Sequence, residues 1–272
     1  MMGRKTKSPE KGRKAVFSRM AEINIKVILE YDGSRYDGWQ RQGNTEKTIQ
    51  GKLEQVLERM AGGPVEVHGS GRTDAGVHAL GQAANFHLPE SCPVKEPGAI
   101  LSYLNQYLPE DIAVLQAGIV SPRFHSRLNA ISKTYLYRIE MAPKKSVFQR
   151  RYVYGLGRSL DVAAMEAAAE ELLGSHDFAA FCSLKRMKKS TVRRIETISI
   201  RQRGTQVEIS FKGNGFLYNM VRIMTGTLIE AGLHQRDAAS VREALLSKDR
   251  SKAGYTAPAE GLFLERVEYP AD

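Results

Sequence analysis

The chain has 272 residues, of which 42% are hydrophobic and 26% charged, and a formal net charge of +10, so it is long enough to bury a substantial core in one or two domains. No window of eighteen apolar residues is present, which excludes a membrane-spanning helix, and the first twenty residues lack the apolar region of a secretory signal. The two cysteines, Cys92 and Cys182, provide neither a disulfide framework nor a metal-ligand spacing, so we expect buried, reduced thiols in a cytoplasmic protein.

Most of the net charge lies in the N-terminal segment. Residues 1–20 hold seven Lys or Arg residues and one acid, Glu10, so they carry +6 of the total +10. This composition is typical of a disordered basic arm, which either contacts phosphate or aids solubility. Residues 21–272 carry the remaining +4. Charge therefore favours RNA binding without establishing it.

The first half of the chain predicts the element order β-α-β-β-α-β. Apolar and polar residues alternate in the predicted strands, and apolar residues recur at helical spacing in the predicted helices. The first helix begins after Thr48, a candidate N-cap. This order is the split βαβ pattern of ferredoxin-like and RRM-like domains. The predicted elements are a strand at 23–31, a helix at 48–60, strands near 65–68 and 80–88, a helix at 98–107 and a strand at 112–120.

The second half repeats this organisation more loosely. Two similar α+β halves predict one continuous, mainly antiparallel sheet with an active-site cleft between the halves. The predicted domains are 21–122 and 123–272. The predicted elements are a strand at 131–140, a helix at 161–173, strands near 194–202 and 205–212, helices at 216–231 and 237–246 and a strand at 262–268.

The loop at 69–79, Gly-Ser-Gly-Arg-Thr-Asp-Ala-Gly-Val-His-Ala, is the most informative stretch. It places the carboxylate of Asp74 and the guanidinium of Arg72 in a turn built from small residues between two predicted strands. The residues alone leave two interpretations. The loop is either a surface turn with a solvated Arg72, or a reactive loop held by a rigid scaffold.

Three further features also have two interpretations each. Arg222 lies about 140° round its predicted helix from Leu217 on the apolar face, which fits a solvated arginine. Tyr135 on its strand fits a core or cross-strand tyrosine. A run of cations without an acid fits a solvated loop or a contact with a phosphate backbone. Its members are Lys185, Arg186, Lys188, Lys189, Arg193 and Arg194.

The histidines do not predict a metal site. His68, His78 and His87 are separated by ten and nine residues, which is no usual zinc spacing. We expect His78 to shape the loop and His176 to cap a helix-to-strand connection. No metal is predicted for this chain.

The loop at 69–79 resembles the active-site loop of the tRNA pseudouridine synthase A family. The resemblance extends over residues 24 to 269, because several other family blocks occur in the same order. One departure is Gly215, where many members have alanine before the phenylalanine. The further matching blocks are residues 31–40, 48–51, 132–137, 176–178, 213–222 and 257–264.

This resemblance implies a role for each of the residues singled out above. Asp74 corresponds to the essential catalytic aspartate, and Arg222 is expected to form a two-pronged ion pair with it. Tyr135 is expected to stack on the target uracil, and Arg72 to fill the space of the extruded base or to hold its phosphate. Leu262 and Leu264 are expected to supply apolar wall, although strand burial explains them equally well.

The family also implies an activity, a substrate and partners. The expected reaction is the isomerisation of uridine to pseudouridine at positions 38, 39 and 40 of the tRNA anticodon stem-loop, by a homodimer that needs no cofactor. Asp74 would act as a nucleophile or as a base, and the sequence does not choose between the two routes. The alternatives are an RNA-binding protein that has lost catalysis and a nucleoside hydrolase. The hydrolase would normally need a second carboxylate, and none is evident in the sequence.

Overall fold

The structure, a computed structural model, describes residues 22–184 and 190–270. The predicted basic arm at 1–20 lies outside the described residues, as do Lys185, Arg186, Lys188 and Lys189 of the basic run. The described chain forms, in order, β1 (Ile23–Tyr31), α1 (Ile49–Ala61), β2 (Val67–Gly69), β3 (His78–Leu88), α2 (Pro97–Tyr107), β4 (Ile112–Ile119), β5 (Ser132–Glu140), β6 (Tyr154–Gly155), α3 (Val162–Glu170), β7 (Gly174–Asp177), β8 (Val192–Arg203), β9 (Gln206–Gly213), α4 (Met220–Gly232), α5 (Ala238–Ser247) and β10 (Leu262–Glu268).

All these strands belong to one sheet with the order β4-β1-β3-β10-β5-β9-β8-β7, to which β2 adds beside β3 and β6 beside β5. The described pairs are antiparallel except β10 with β3 and β6 with β5. This mainly antiparallel sheet with helices from both halves confirms the predicted α+β fold class. We propose that the boundary between the predicted domains, 21–122 and 123–272, lies in the connection between β4 and β5.

The last strand of the chain joins the two halves. β10 lies between β3 and β5, with Phe263 opposite His78 and Leu264 opposite Ala79 in parallel register. On its other edge, Leu264 is opposite Tyr135 in antiparallel register. β10 therefore fixes the loop that precedes β3 relative to the tyrosine on β5.

The helices follow the predicted apolar stripes. In α1 the buried residues include Ile49, Leu53 and Leu57, which follow one another at four-residue spacing along one face. The Thr48 side chain accepts from the Gly51 N–H at 3.2 Å, as expected for an N-cap. Within the described ranges no helix is long and apolar enough to cross a membrane. Both cysteines are buried and unpaired, as predicted.

The local structure differs from the predictions in two ways. First, β6 and β7 were not predicted, because strands of two and four residues are too short to show an alternating pattern. The helix predicted from 216 begins only at Met220, because Asn219 has a left-handed backbone with φ 60° that no helix interior accommodates. His176, in contrast, acts on the connection between α3 and β7 as expected, since its Nε2 lies 2.6 Å from the Leu173 carbonyl.

α4 is a helix buried almost all round, since eleven of its 13 residues are buried. Gly226 faces the backbone carbonyl of Tyr255, and a Cβ at this position would collide with it. The Thr227 hydroxyl donates to the Ile223 carbonyl at 2.8 Å, and the Gly254 N–H donates to Thr227 Oγ1 at 2.9 Å. The helix that carries Arg222 is therefore fixed against the segment before β10.

We expect Gly226→Ala to lower the free energy of unfolding by roughly 2 kcal/mol or more, because the overpacking against backbone outweighs the gain of about 1 kcal/mol in helix propensity. The control is Gly98→Ala in α2, where a Cβ meets nothing within 4 Å. That variant should be neutral or slightly stabilised. Urea denaturation of the three proteins measures both effects. Equal stability of the two variants would contradict the close packing of α4.

Candidate active site

The loop between β2 and β3 is fixed at both ends and in its middle. The Trp39 N–H donates to the Thr73 carbonyl at 3.0 Å, and the Gln82 side-chain amide donates to the Gly71 carbonyl at 2.9 Å. Gly76 has φ 77°, a conformation that L side chains rarely adopt. The loop therefore presents Asp74 from a rigid backbone, as the second interpretation of the sequence requires.

The carboxylate of Asp74 faces Arg222 from the other half of the chain. Arg222 Nη1 lies 3.5 Å from Asp74 Oδ2, and the two side chains are 18% and 24% exposed. Burial raises the pKa of Asp74 above that of an ordinary aspartate, while the positive charge of Arg222 and its hydrogen bond act in the opposite direction. Arg222 thus favours the ionised form of a carboxylate that its surroundings would otherwise protonate.

The ion pair differs in geometry from our expectation of a two-pronged contact. Arg222 Nε donates to the Ala257 carbonyl at 2.7 Å, and Nη1 also donates to Asn219 Oδ1 at 3.0 Å. Nη1 is thus shared between Asn219 and Asp74, and Nε is bonded to Ala257, so these two nitrogens do not form a two-pronged hydrogen bond with the Asp74 carboxylate. The guanidinium of Arg222 is therefore held in position by Asn219 and by the Ala257 carbonyl, independently of its contact with Asp74.

A cavity of about 660 Å³ opens beside this pair and is lined by both halves of the chain. Tyr135 lies on its wall and is 8% exposed. The Phe216 ring meets the Tyr135 ring edge-on, with 5.1 Å between centroids. Leu262 also lines the cavity. Leu264 is fully buried and is not among the lining residues, which fits the alternative of plain strand burial.

Arg72 is exposed and lies between this cavity and a smaller one. Its Nε donates to Gln40 Oε1 at 2.9 Å, and both residues line the two cavities. The smaller cavity, of about 350 Å³, also has the stacked rings of His68 and His125 on its wall, 4.8 Å apart. Arg72 can therefore reach a group in either space.

A second carboxylate, Asp37, lies on the rim of the main cavity and was not expected from the sequence. It is exposed, and its Oδ2 accepts from the Thr45 hydroxyl at 2.6 Å. Asp74, in contrast, is partly buried against a cation. The two acids thus have different surroundings, and Asp37 serves the turn that contains Thr45.

His78 shapes the end of the loop, as predicted. It is 1% exposed, accepts from the Gly33 N–H at Nδ1 at 3.1 Å and has Nε2 3.0 Å from the Arg151 carbonyl. The Asp32 carboxylate also lies near this ring, with Oδ1 3.2 Å from Nδ1. Burial lowers the pKa of His78, while Asp32 and the backbone partners act in the opposite direction. His78 is not among the residues that line the cavity.

Sequence reasoning missed several residues of the cavity wall. Lys133, Arg127 and Phe216 were not singled out, and they line it together with Arg193 of the basic run. The signal for Lys133 was available, since it stands two residues before Tyr135 and alternation puts both side chains on one face of β5. Arg127 is different, because it lies in an irregular segment between β4 and β5. Across the described part of the chain, no group of three or more His, Cys, Asp or Glu side chains could hold a metal ion.

Comparison with known proteins identifies the family of the chain. The family model described as tRNA pseudouridine synthase matches residues 27–127 and 168–270. The tRNA pseudouridine synthase A of Bacillus sp. (strain KSM-64) is 49% identical over 246 residues, which cover 90% of this chain and 99% of that protein. A protein from Bacillus cereus (strain ATCC 14579) named tRNA pseudouridine synthase A 2, and one from Clostridium tetani named tRNA pseudouridine synthase A 1, are each 46% identical over the same shares.

The matched segments include the loop with Asp74, the helix with Arg222 and the strand β10 that joins the halves. A likeness of this extent, over nearly the whole chain, leaves no room for an unrelated hydrolase. The chain therefore belongs to the tRNA pseudouridine synthase family and is an isomerase that acts on uridine in tRNA.

Proposed function

We propose that the chain isomerises uridine at positions 38, 39 and 40 of the tRNA anticodon stem-loop, without a cofactor and as a homodimer. The observation that carries the site assignment is the carboxylate of Asp74 held 3.5 Å from Arg222, at a cavity shared by both halves. The positions, the dimer and a cytoplasmic location derive from the family resemblance and the tRNA substrate.

The reaction breaks the bond from C1′ to N1 of uridine, turns the uracil and joins C1′ to C5. The proton on C5 is lost and N1 gains a proton, so the composition is unchanged. A carboxylate near C1′ can take either of two roles in this reaction. It acts as a nucleophile that attacks C1′, or as a base in a route with a glycal intermediate. Both routes need Asp74 ionised. We propose that Arg222 maintains that ionisation and fixes the direction of the carboxylate, which is the role its single contact allows.

Tyr135 and Arg72 are proposed to bind the extruded nucleotide. The Tyr135 hydroxyl donates to no partner within the described residues, and burial raises its pKa, so it stays a neutral hydroxyl at the cavity. Its ring, Phe216 and Leu262 form the apolar surface that a uracil would contact. Arg72 is placed to occupy the space that the flipped base leaves, or to hold its phosphate.

The basic run is proposed to contact tRNA on charge alone. Lys185, Arg186, Lys188 and Lys189 lie outside the described residues. The residue before them, Leu184, and Arg193 after them both line the cavity. We propose that the cations of the run raise the affinity for a nucleic-acid backbone through released counterions.

The test of the proposed function uses a tRNA transcript with tritium at C5 of its uridines. Isomerisation releases tritiated water and leaves pseudouridine, which nuclease digestion and chromatography would locate at positions 38, 39 and 40. A protein that only binds tRNA releases no label. A hydrolase releases labelled uracil and leaves an abasic site in the tRNA. Pseudouridine at other positions would contradict the assignment to the anticodon stem-loop.

We expect Asp74→Asn to lower single-turnover isomerisation by more than about 1,000-fold, because the amide keeps the shape but provides neither nucleophile nor base. Its tRNA affinity should stay near that of the parent protein. Rates are measured with mass-spectrometric checks for deamidation of the introduced asparagine back to aspartate. The matched control is Asp37→Asn on the rim of the same cavity, expected to retain turnover within about tenfold. Loss of turnover from Asp37→Asn alone would reverse the assignment.

We expect Arg222→Lys to slow single-turnover isomerisation by about 10- to 100-fold at saturating tRNA, because lysine keeps the charge but loses the donors to Ala257 and Asn219 that orient it. The control is Arg242→Lys, whose guanidinium pairs with Glu171 at 2.6 and 2.7 Å on an exposed surface. That variant should turn over normally. An unchanged rate for Arg222→Lys with weakened tRNA binding would assign Arg222 to a phosphate contact.

A further inference from the structure

Three cations stand on the same wall of the Asp74 cavity. Lys133 on β5, Arg193 on β8 and Arg127 in the segment between β4 and β5 all line it. Arg127 and Arg193 also lower the pKa of Lys133 electrostatically, although burial is the larger cause. Each arginine is therefore close enough to Lys133 to repel its ammonium.

No carboxylate relieves this repulsion within residues 22–184 and 190–270. None of the three cations forms an ion pair there, whereas Arg222 on the same wall has Asp74. Lys133 Nζ donates to the Ser70 carbonyl at 2.6 Å, and Arg193 Nη1 donates to the carbonyls of Ser190 and Val192 at 2.9 and 2.6 Å. Carbonyl oxygens hold these cations in place, but they do not neutralise them.

The position of Lys133 is fixed by its surroundings. A Cβ on Gly71 would lie 3.1 Å from Lys133 Nζ, so the ammonium packs directly on the loop that presents Asp74. Burial together with the two arginines lowers the pKa of Lys133 to about 8. Burial and neighbours of the same sign make the charged form of Lys133 unfavourable. An anion that enters the cavity would stabilise this charged form.

We propose that Lys133, Arg127 and Arg193 form a phosphate-binding site for one phosphodiester of the RNA backbone next to the extruded uridine. The proposal rests on the proposed function, since it takes the RNA in that cavity as the substrate. Lys133 supplies a point charge at the wall, and the two arginines supply planar donors. Because Lys133 also bonds to the Ser70 carbonyl, the bound phosphate would lie directly against the loop of Asp74. In this role Lys133 positions the nucleotide and takes no part in bond making.

The first test pairs protein variants with RNA that lacks one charge. Anticodon stem-loop RNAs carry a neutral methylphosphonate at one linkage at a time around the target uridine. One such linkage should weaken binding to the parent protein by about tenfold, and Lys133→Gln should weaken binding of unmodified RNA by a similar factor. Combining the two should add no further loss. If the two losses multiply at every linkage, Lys133 supports the loop only and the proposal is wrong.

Arg193→Gln and Arg127→Gln repeat this test and leave the bond from Lys133 to Ser70 intact, so a folding defect of Lys133→Gln does not decide the result. The methylphosphonate that weakens binding to the parent protein should cause no further loss of RNA affinity in either variant. The matched control is Arg201→Gln, an exposed arginine on β8 roughly 25 Å further along the strand at 3.3 Å per residue. It should keep the affinity and the linkage response of the parent protein. A response of Arg201→Gln equal to that of Arg193→Gln would contradict a localised site.

The second test is the pH dependence of RNA affinity. Besides Lys133, the charged groups that line this cavity are Asp37, Arg72, Asp74, Arg127, Arg193 and Arg222. Burial and the two neighbouring arginines lower the pKa of Lys133 to about 8. A bound phosphate raises the pKa of the ammonium, so affinity is highest below pH 8 and falls as pH rises through that value. The parent protein should bind several-fold more weakly at pH 9 than at pH 7, while Lys133→Arg should show no such fall.

The parent protein and Lys133→Arg bind the same RNA, so the titration of the RNA bases affects both equally and cancels in the comparison. Identical pH dependence for the parent protein and Lys133→Arg would overturn the proposal. Failure of this inference is distinguishable from failure of the proposed function. The parent protein would still release tritium from the labelled tRNA in the first case, and would release none in the second.

Discussion

The contact between Asp74 and Arg222 is the interaction on which the rest of the site depends. It spans the two halves of the chain, since the carboxylate comes from the loop before β3 and the guanidinium from α4. Without the cation, a carboxylate in these surroundings would gain a proton more easily, because burial raises its pKa. The relative position of the halves therefore influences the charge of the Asp74 carboxylate, which we propose to be catalytic, as well as its location.

The fold provides that relative position through backbone pairing and close packing. β10 pairs with β3 on one edge and with β5 on the other, which brings the loop and Tyr135 to one cavity. The close approach of Gly226 to the backbone at Tyr255 holds α4 against the segment that leads into β10, and the Ala257 carbonyl in that segment orients Arg222. One short stretch thus positions both members of the ion pair. A loss of packing at α4 would consequently affect chemistry at a distance.

Much of this arrangement was predictable from local patterns, and the rest depends on contacts distant in sequence. The alternation in β1 and the apolar stripe of α1 are properties of short windows, and both elements lie where predicted. Asp74 was identified through a run of residues in its own loop. The single-pronged geometry of Arg222 was not, because its other partners, Ala257 and Asn219, are set by the packing of α4. Likewise the cations beside Lys133 come from separate segments that only the tertiary fold brings together.

The central claim is that Arg222 keeps Asp74 ionised, and the acid limb of the pH–rate profile measures this most directly. Single-turnover isomerisation is followed over pH for the parent protein and for Arg222→Gln, with saturating tRNA. Since the carboxylate is the active form, the rate falls as pH falls through the pKa of Asp74. The account predicts that the midpoint of this limb moves to higher pH in Arg222→Gln, because the group that lowers the pKa has been removed. A slower rate with an unmoved midpoint would contradict it.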